Sequence, residues 1–411
     1  MRIAFISMDP KGAPLRGAGY VAASIPSDHE LLFYCVMNPK KDKQYITLPN
    51  ILRKKNVDLL MISTMTTLYS DACILIKNIK DVKNIPILMG GVHPTVSGAK
   101  LLEDNKNIDY LCIGEGESFI KEFLDNYGKE SLFEVDNLAY TKDGKVYSNP
   151  IRPPEDLSKL PRFPWHLFHR IVGPDGVLSV ASTRGCPYAC TYCCNTTFLK
   201  MYGKKYIRYR PVEDVIEELK YVTSKYRIKR LSFGDEMIFS DIKYSEKLFD
   251  SLKSKLNIPY QCLSRVEHIN KEMIKVLKRT GCVGVSMGVE CGDEEFRRKH
   301  LNRFMTNDQI RRAFKLLREA RIKTISFNMI GWPFDSDDEL TKKTIKLNKQ
   351  IKADFVQVTW FYPFPGTKLY DHCVKNDLID KDKSILSYHK ESILKMHRNK
   401  KSPFKSHGNR K

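Results

Sequence analysis

The chain has 411 residues, of which 42% are hydrophobic and 28% are charged, and its formal net charge is +21. A length above about 250–300 residues exceeds what one hydrophobic core normally serves, so we expect at least two domains. The hydrophobic and charged fractions are those of a globular protein, and no apolar run is long enough to cross a bilayer. These properties exclude the disordered, fibrous and membrane-spanning classes.

The positive charge and the cysteines bear on partners and compartment. The densest basic segment is residues 395–411, with seven Lys or Arg and no acid, while the other cations are spread over helix faces. This distribution is typical of solvated surfaces, so we do not expect nucleic acid as a partner. The first residues lack the apolar length of a secretory signal, so we expect a cytoplasmic protein whose eleven cysteines are reduced, a few of them binding metal.

Residues 1–130 alternate short apolar runs with segments of helical length and pattern. The apolar runs are RIAFIS, HELLFYCVM, DLLMISTM, IPILMGG and IDYLCIGE. Runs that are almost continuously apolar are typical of strands covered by helices on both faces. The pattern therefore predicts an α/β domain built on a doubly wound parallel sheet.

Residues 131–165 break this alternation and are predicted to form a hairpin and a proline-rich linker. In NLAYTKDGKVYSNP the pair Asp143 and Gly144 supplies a tight turn, and the following RPPEDLSKLPRFPW contains prolines that forbid a regular helix. We therefore expect a second domain over residues 166–377 and a short basic tail over residues 378–411.

The second domain contains six strand candidates: VLSVAS, KRLSFGDE, IPYQCLSR, VGVSMGVE, TISFNMIG and FVQVTWFYP. Helix ends are readable between them, with an N-cap at Asn270, a C-cap at Gly281, and capping boxes at Thr306 with Gln309 and Ser336 with Glu339. Consecutive strand–helix units with right-handed crossovers curl into a barrel or part of one. The active site of such a fold lies at the carboxyl ends of the strands.

The segment STRGCPYACTYCCN places Cys186, Cys190 and Cys193 in a loop directly after the first of these strands. A [4Fe–4S] cluster normally takes four cysteine ligands, so three cysteines imply one iron that stays open to a chelating ligand. A zinc knuckle is the alternative, but it requires a fourth Cys or His at tight spacing. Cys194 is expected to be a packed thiol beside the third ligand.

The motif CxxxCxxC, with aromatic Tyr192 before its third cysteine, resembles the signature of the radical S-adenosylmethionine (SAM) superfamily. The resemblance implies that the amino and carboxylate groups of SAM chelate the open iron. It further implies that an electron from the cluster cleaves SAM to a 5′-deoxyadenosyl radical.

Residues at later strand ends match positions that contact SAM in this superfamily. The resemblance assigns the amino group of SAM to Gly234, Asp235 and Glu236, its carboxylate to Arg265, and the ribose hydroxyls to Glu290. Gly331, in NMIGWP, is similar to the strand end that flanks the adenine.

The order of the two domains resembles the cobalamin-binding branch of the same superfamily. Glycines at strand ends allow close backbone approach of a ligand, and hydroxyls lie at the same edge. The candidate cobalamin-binding residues are Ser63, Thr64, Gly90, Gly91, His93, Gly114 and Glu115. No DxHxxG motif marks a histidine as the lower axial cobalt ligand. The alternative is a domain that acts as a scaffold or substrate cradle.

These features together predict a radical SAM enzyme that methylates an unactivated carbon with the help of cobalamin. The expected partners are a small-molecule substrate and a low-potential electron donor such as flavodoxin or ferredoxin. Three alternatives stay open: a radical SAM cyclase or rearrangement enzyme without cobalamin, a methylthiotransferase acting on RNA, and a basic nucleic-acid-binding or scaffold protein with a vestigial cluster. The methylthiotransferase is disfavoured because Cys35, Cys73 and Cys112 lack the spacing of its additional cluster.

Overall fold

The computed structural model describes residues 1–8, 16–36, 43–168, 170–173, 175–380, 389–398 and 400–404. The chain divides into two compact units: Met1–Gly173 with Met201–Lys205, and Pro174–Lys200 with Tyr206–Lys411. In the part of the chain that the structure describes, no helix has the length and apolar character needed to span a membrane.

The first unit is built on one seven-stranded sheet. Its strands are β1 (Arg2–Met8), β2 (Glu30–Val36), β3 (Leu59–Ser63), β4 (Ile87–Gly90), β5 (Tyr110–Cys112), β6 (Leu138–Lys142) and β7 (Lys145–Ser148). Its helices are α1 (Arg16–Ala23), α2 (Lys43–Lys54), α3 (Tyr69–Lys80), α4 (Val92–Ser97), α5 (Leu101–Asp104) and α6 (Glu117–Asn126). Short 3-10 helices cover Thr66–Leu68, Glu130–Glu134 and Trp165–Leu167.

The strand order β2-β1-β3-β4-β5-β6-β7 confirms the doubly wound sheet. The first five strands are parallel, and separate apolar clusters cover the two faces, which explains why their sequences are apolar throughout. In this order a ligand site is expected beyond the carboxyl ends of the strands, near the switch between β1 and β3. The hairpin β6–β7 pairs antiparallel with β5 and so extends this sheet.

The second unit carries a six-stranded barrel sheet and a separate two-stranded sheet. The barrel strands are β8 (Val177–Val180), β11 (Arg230–Phe233), β12 (Tyr260–Ser264), β13 (Cys282–Glu290), β14 (Lys323–Ile330) and β15 (Phe355–Trp360), and the small antiparallel sheet consists of β9 (Thr183–Arg184) and β10 (Arg208–Tyr209). The remaining helices of the chain are α7 (Asn195–Tyr202), α8 (Val212–Lys225), α9 (Ile242–Lys255), α10 (Lys271–Thr280), α11 (Glu294–Leu301), α12 (Asn307–Glu319), α13 (Glu339–Ile351) and α14 (Lys368–Lys375). Further 3-10 helices cover Gly203–Tyr206, Ile238–Ser240, Val266–His268 and Lys395–His397.

The barrel sheet has the order β15-β14-β13-β12-β11-β8, and all neighbouring strands are parallel. The strands at its two edges are β8 and β15, so the six predicted strand–helix units form an open half barrel. One face of the sheet is buried against helices: Tyr260 of β12, for example, stacks on Phe249 of α9 with ring centroids 4.1 Å apart. Alternate residues such as Gln261 and Leu263 stay partly open on the other face.

Three of the four predicted helix ends are confirmed. Asn270 accepts from the N–H of Met273, Gly281 ends α10 in the left-handed conformation, and Thr306 with Gln309 forms a reciprocal capping box.

The capping box predicted at Ser336 and Glu339 is wrong. The buried carboxylate of Asp335 instead accepts from the backbone N–H groups of Leu340 and Thr341 at the start of α13. Glu339 is already the first residue of α13, so it lies too early to be the third residue of a capping box.

The C-terminal segment is partly folded onto the second unit. Leu394 pairs with Ile379 in an isolated bridge, and the basic side chains of Lys395, Arg398 and Lys400 each contact a carboxylate, from Asp377, Asp380 and Asp338. The rest of the predicted basic tail, residues 381–388, 399 and 405–411, lies outside the described residues. Three of its cations are therefore already neutralised within the chain.

Candidate active site

The cysteine loop begins at the carboxyl end of β8 and passes through the short strand β9. Gly185, directly before Cys186, has a φ of +98°, and a Cβ at this position would lie 2.3 Å from the carbonyl oxygen of Tyr206. Only glycine therefore allows the loop to turn this close to the neighbouring backbone. The loop then presents Cys186, Cys190 and Cys193.

The three thiols are close enough to influence one another's ionisation. Burial raises the pKa of Cys186 to about 11, and the negative charges of Cys193 and Cys190 add to the increase. The pKa of Cys193 is instead lowered to about 7, chiefly by a hydrogen bond with Cys194 and against the effect of burial. A thiolate is the form that binds iron, so the position of Cys193 favours the ligating state.

Polar donors reach two of the three sulfur atoms. Arg265 Nη1 lies 3.7 Å from Cys190 Sγ, and Asn195 Nδ2 lies 3.7 Å from Cys193 Sγ. Among the described residues, no three His, Cys, Asp or Glu side chains converge closely enough to hold a single metal ion. In a [4Fe–4S] cluster each thiolate bonds its own iron, and a loop of three cysteines with donors to its sulfurs has the chemistry that such a cluster needs.

Asp235 anchors the segment that leads into the cysteine loop. Its Oδ1 accepts from the backbone N–H groups of Ser182 and Thr183, at 2.7 and 2.6 Å, and from both of their hydroxyls. The preceding Gly234 donates from its N–H to the carbonyl of Val180 at the end of β8. These contacts of Asp235 are with backbone and hydroxyl groups of the protein, and its contact with SAM stays a prediction.

Glu236 is the carboxylate of this strand end that is open to a ligand. More than a third of its surface is exposed, yet desolvation by the surrounding protein raises its pKa, with Asp235 adding to the increase. An ammonium group placed beside this accessible carboxylate would favour its charged form and so offset the desolvation. This environment suits the predicted role of Glu236 toward the amino group of SAM.

Arg265 is buried at the carboxyl end of β12 and has three partners. Its guanidinium lies over the ring of Tyr188, 3.7 Å from the centroid, and donates to Glu267 Oε1 as well as to Cys190. Desolvation raises the pKa of Glu267 and Arg265 lowers it, with a net decrease, so this pair is charged. The structure brings Arg265 to the cysteine loop, as the prediction of a SAM carboxylate site requires.

Glu290 ends β13 with a φ of +66°, and its carboxylate faces Arg303. Arg303 Nη1 donates to Glu290 Oε1 and to the Tyr192 hydroxyl, both at 3.2 Å, and Nη2 donates to the carbonyl of Gly288 at 2.8 Å. Desolvation raises the pKa of Glu290, while Arg303 and the Tyr192 hydroxyl act against the increase.

The sequence did not indicate the role of Arg303. It is one of 69 Lys and Arg residues, and it lies in the connection between α11 and α12. Its burial becomes visible only in the folded chain.

Gly331 follows β14 with a φ of +68°. A Cβ at Gly331 would lie 2.3 Å from the ring of Trp360 and 3.3 Å from that of His397. His397 Nε2 lies 3.0 Å from the carbonyl oxygen of Trp332, so the folded C-terminal segment packs against this strand end. These aromatic rings thus lie close to the backbone at Gly331, and the position of this residue beside the adenine stays a prediction.

In the first unit, the predicted cobalamin-binding residues meet at the carboxyl ends of β3, β4 and β5. Gly91 has a φ of +100°, and a Cβ there would lie 2.7 Å from the carbonyl of Thr64 and 3.1 Å from the hydroxyl of Ser63. Gly90 accepts from the N–H of Thr64. Gly114 donates to the hydroxyl of Thr95. Glu115 donates from its N–H to Tyr202, and its carboxylate accepts from the N–H of Glu155.

His93 lies in α4 at the same edge and is 5% exposed. Its Nδ1 lies 3.3 Å from the hydroxyl of Thr66, its ring packs on Tyr69, and its Nε2 has no hydrogen-bond partner among the described residues. Burial lowers the pKa of His93 to about 4, so the ring is neutral at physiological pH. Small residues, hydroxyls and an unpartnered ring nitrogen at three strand ends fit a large polar cofactor such as cobalamin.

Two family models match the chain. Residues 180–343 match the radical SAM superfamily, and residues 13–124 match the B12 binding domain. These domains use a [4Fe–4S] cluster with SAM and a cobalamin, respectively, which confirms the predicted cofactors.

The chain is also similar to known protein sequences and to solved structures. The chain is 28% identical to an uncharacterized methyltransferase of Pyrococcus horikoshii over 377 residues, or 90% of this chain and 80% of that protein. It is 24% identical to an anaerobic magnesium-protoporphyrin IX monomethyl ester cyclase of Rubrivivax gelatinosus over 70% of this chain and 53% of that protein. The fold is similar to that of the methyltransferase TsrM of Kitasatospora setae, with a TM-score of 0.73, 16% identity, and coverage of 92% of this chain and 78% of that one.

Proposed function

Because this chain belongs to the radical SAM superfamily and carries a B12 binding domain, we propose that it methylates an unactivated carbon of a small molecule. The observation that supports this proposal most is the presence of two sets of cofactor residues, the cysteine loop with its strand ends and the β3–β5 edge, in one chain. When bound, the cluster supplies the electron that cleaves SAM to a 5′-deoxyadenosyl radical, and cobalamin supplies the methyl group.

The side chains around the cysteine loop divide the binding of SAM among them. We propose that Cys186, Cys190 and Cys193 would hold a cluster with one open iron. Their spacing supports this, as do the donors that Arg265 and Asn195 direct at the sulfur atoms. Glu236 would receive the ammonium group, and Arg265 would meet the carboxylate. Glu290, oriented by Arg303, would accept from the ribose hydroxyls. Residues that hold both ends of SAM would fix its sulfonium beside the cluster, which would be a gain of proximity and orientation.

The electron that starts the reaction comes from a low-potential donor, and we propose a flavodoxin or ferredoxin. We also place the chain in the cytoplasm, because a reduced cluster and free cysteines require a reducing compartment. Nucleic acid is not proposed as a partner, since three cations of the basic tail already contact carboxylates.

The proposal is tested with the holoenzyme and SAM labelled as S-(methyl-D3). The reconstituted chain is incubated anaerobically with reductant and a small-molecule extract, and the products are examined by mass spectrometry. A methyltransferase produces 5′-deoxyadenosine together with a metabolite that carries the CD3 group. Formation of 5′-deoxyadenosine with a cyclised or rearranged product and no CD3 label would instead establish the cyclase alternative. The similarity to the cyclase of Rubrivivax gelatinosus is the reason to test for it.

A further inference from the structure

A basic recess of about 380 Å³ opens at the cysteine loop of the second unit. Four of its lining residues are cations, Lys200, Arg298, Lys299 and Lys368, and no acid lines it. Ala189 and Thr191, which flank Cys190 in the chain, also contribute to its wall. A molecule bound in this recess would therefore contact the loop that holds the cluster.

The four cations are free to act on a partner. All four are exposed, and among the described residues none of them forms an ion pair with a carboxylate. This contrasts with nearby Lys343, which pairs with Asp293, and with the cations of the C-terminal segment. Unpaired charges of one sign around a concavity reinforce one another and produce a local positive potential.

Two of the helices that carry these cations, α11 and α14, are hydrogen-bonded to the backbone of the cysteine loop. Asn302, at the end of α11, donates to the carbonyl of Ala189 at 2.8 Å. The N–H of Thr191 donates to the carbonyl of Leu301, and Leu369 in α14 donates to the carbonyl of Thr191 at 3.1 Å. These hydrogen bonds connect the wall of the recess to the two residues beside Cys190.

We propose that the recess is the docking surface for a small acidic electron-transfer protein that reduces the cluster. This inference rests on the proposed function, which requires an electron to reach the cluster. In the step, one electron passes from the reduced carrier to the oxidised cluster, the carrier leaves oxidised by one electron, and no bond is made or broken. Charge complementarity steers such encounters, which are weak and bury little surface. A nucleic acid would need a basic stripe that follows its backbone, whereas these cations surround one recess.

The test uses the full chain with the double substitution Lys299→Glu and Lys368→Glu. Its matched control is Lys275→Glu with Lys278→Glu, two exposed cations on α10 that do not line the recess. Binding of an acidic flavodoxin is measured by fluorescence anisotropy at low and moderate salt. The rate of 5′-deoxyadenosine formation is measured with reduced flavodoxin and, separately, with titanium(III) citrate, which needs no docking surface.

We expect charge reversal in the recess to weaken flavodoxin binding and to slow the flavodoxin-driven reaction by roughly tenfold or more at low salt, in proportion to the steering that is lost. With titanium(III) citrate, the recess variant should form 5′-deoxyadenosine at the rate of the unsubstituted chain. The control variant should match the unsubstituted chain in flavodoxin binding and in the rate of the flavodoxin-driven reaction. The neutral pair Lys299→Gln and Lys368→Gln, which disturbs the helix ends less, should show a smaller loss in the same direction.

Unchanged flavodoxin binding in both recess variants would overturn the docking proposal. Salt-sensitive RNA binding that depends on Lys299 and Lys368, without an effect on flavodoxin, would overturn it as well. Failure of the unsubstituted chain to cleave SAM with titanium(III) citrate contradicts the proposed function instead, and the anisotropy measurement still decides the docking proposal.

Discussion

Arg303 donates to the carboxylate of Glu290 across 3.2 Å, and both side chains are shielded, with 6% and 12% of their surfaces exposed. The same guanidinium holds the hydroxyl of Tyr192. One buried cation therefore connects the cysteine loop with the end of β13, where SAM is proposed to bind. Breaking a buried pair leaves the remaining charge desolvated and unpaired, which is costly.

Replacing Arg303 by Met should lower the free energy of unfolding by about 3–5 kcal/mol, because Glu290 would be left buried without its partner. It should also weaken SAM binding, since neither Glu290 nor Tyr192 would be oriented. Urea unfolding and equilibrium dialysis with SAM measure the two effects. Arg312→Met on the exposed face of α12 is the control and should change the unfolding free energy by less than about 0.5 kcal/mol. A stable Arg303→Met chain with unchanged SAM affinity would remove Arg303 from the site.

Replacing Arg265 by Gln should shift the midpoint potential of the cluster to a more negative value. Reduction adds negative charge beside Cys190, and the cation 3.7 Å from its sulfur favours the reduced state. A Coulomb effect of about 1–2 kcal/mol at this site corresponds to roughly 40–90 mV for one electron. Redox titration followed by electron paramagnetic resonance measures the shift. Arg265→Lys keeps the charge and should stay near the original potential; equal potentials in all three chains would show that Arg265 does not act on the cluster.

Cys193→Ala should abolish assembly of a cluster with a complete set of ligands, whereas Cys194→Ala should retain it. Cys193 is the thiol whose pKa is lowered to about 7, and Cys194 is the hydrogen-bond partner that lowers it. Iron and sulfide content and the absorption spectrum after anaerobic reconstitution distinguish the two variants. Loss of iron from the Cys194 variant and retention in the Cys193 variant would assign the third ligand to Cys194.

The neutral buried ring of His93 should make stability depend on pH. Its pKa is about 4 in the folded chain and near 6.5 when unfolded, so the unfolded state binds more protons between these values. Stability should therefore be lost as the pH falls from about 6.5 to about 4, by up to about 3 kcal/mol from this residue. Urea unfolding at pH 7 and pH 5 should show a smaller loss for His93→Leu than for the unsubstituted chain. The exposed His166→Leu serves as control, and an identical loss in all three chains would mean that His93 does not contribute.

The parts of the fold and site that the sequence predicted depend on local patterns. Continuous apolar runs located the strands of both sheets, and the spacing of Cys186, Cys190 and Cys193 located the loop, because each signal is carried by residues near one another in the chain. The resemblance also indicated Arg265, but Arg303 acquires its contact from Tyr192, which lies 111 residues earlier in the chain. No local pattern distinguishes a buried arginine from the many exposed ones.

The same reason explains where the predictions and the observed contacts differ. The contact of Asp235 with SAM stays a prediction, and the sequence did not indicate that its carboxylate also anchors Ser182 and Thr183 across 53 and 52 residues of sequence. The start of α13 was expected at Ser336, but the buried Asp335 reaches over the intervening turn to Leu340 and Thr341. In both cases a buried carboxylate satisfies backbone donors that only the folded chain brings near it.

The most direct measurement is an assay of metals and products on one anaerobic preparation reconstituted with iron, sulfide and cobalamin. Cobalamin-dependent radical SAM methylation predicts four irons and one cobalt per chain, together with 5′-deoxyadenosine on addition of SAM and reductant. Four irons without cobalt, or a fully loaded chain that forms no 5′-deoxyadenosine, would contradict it.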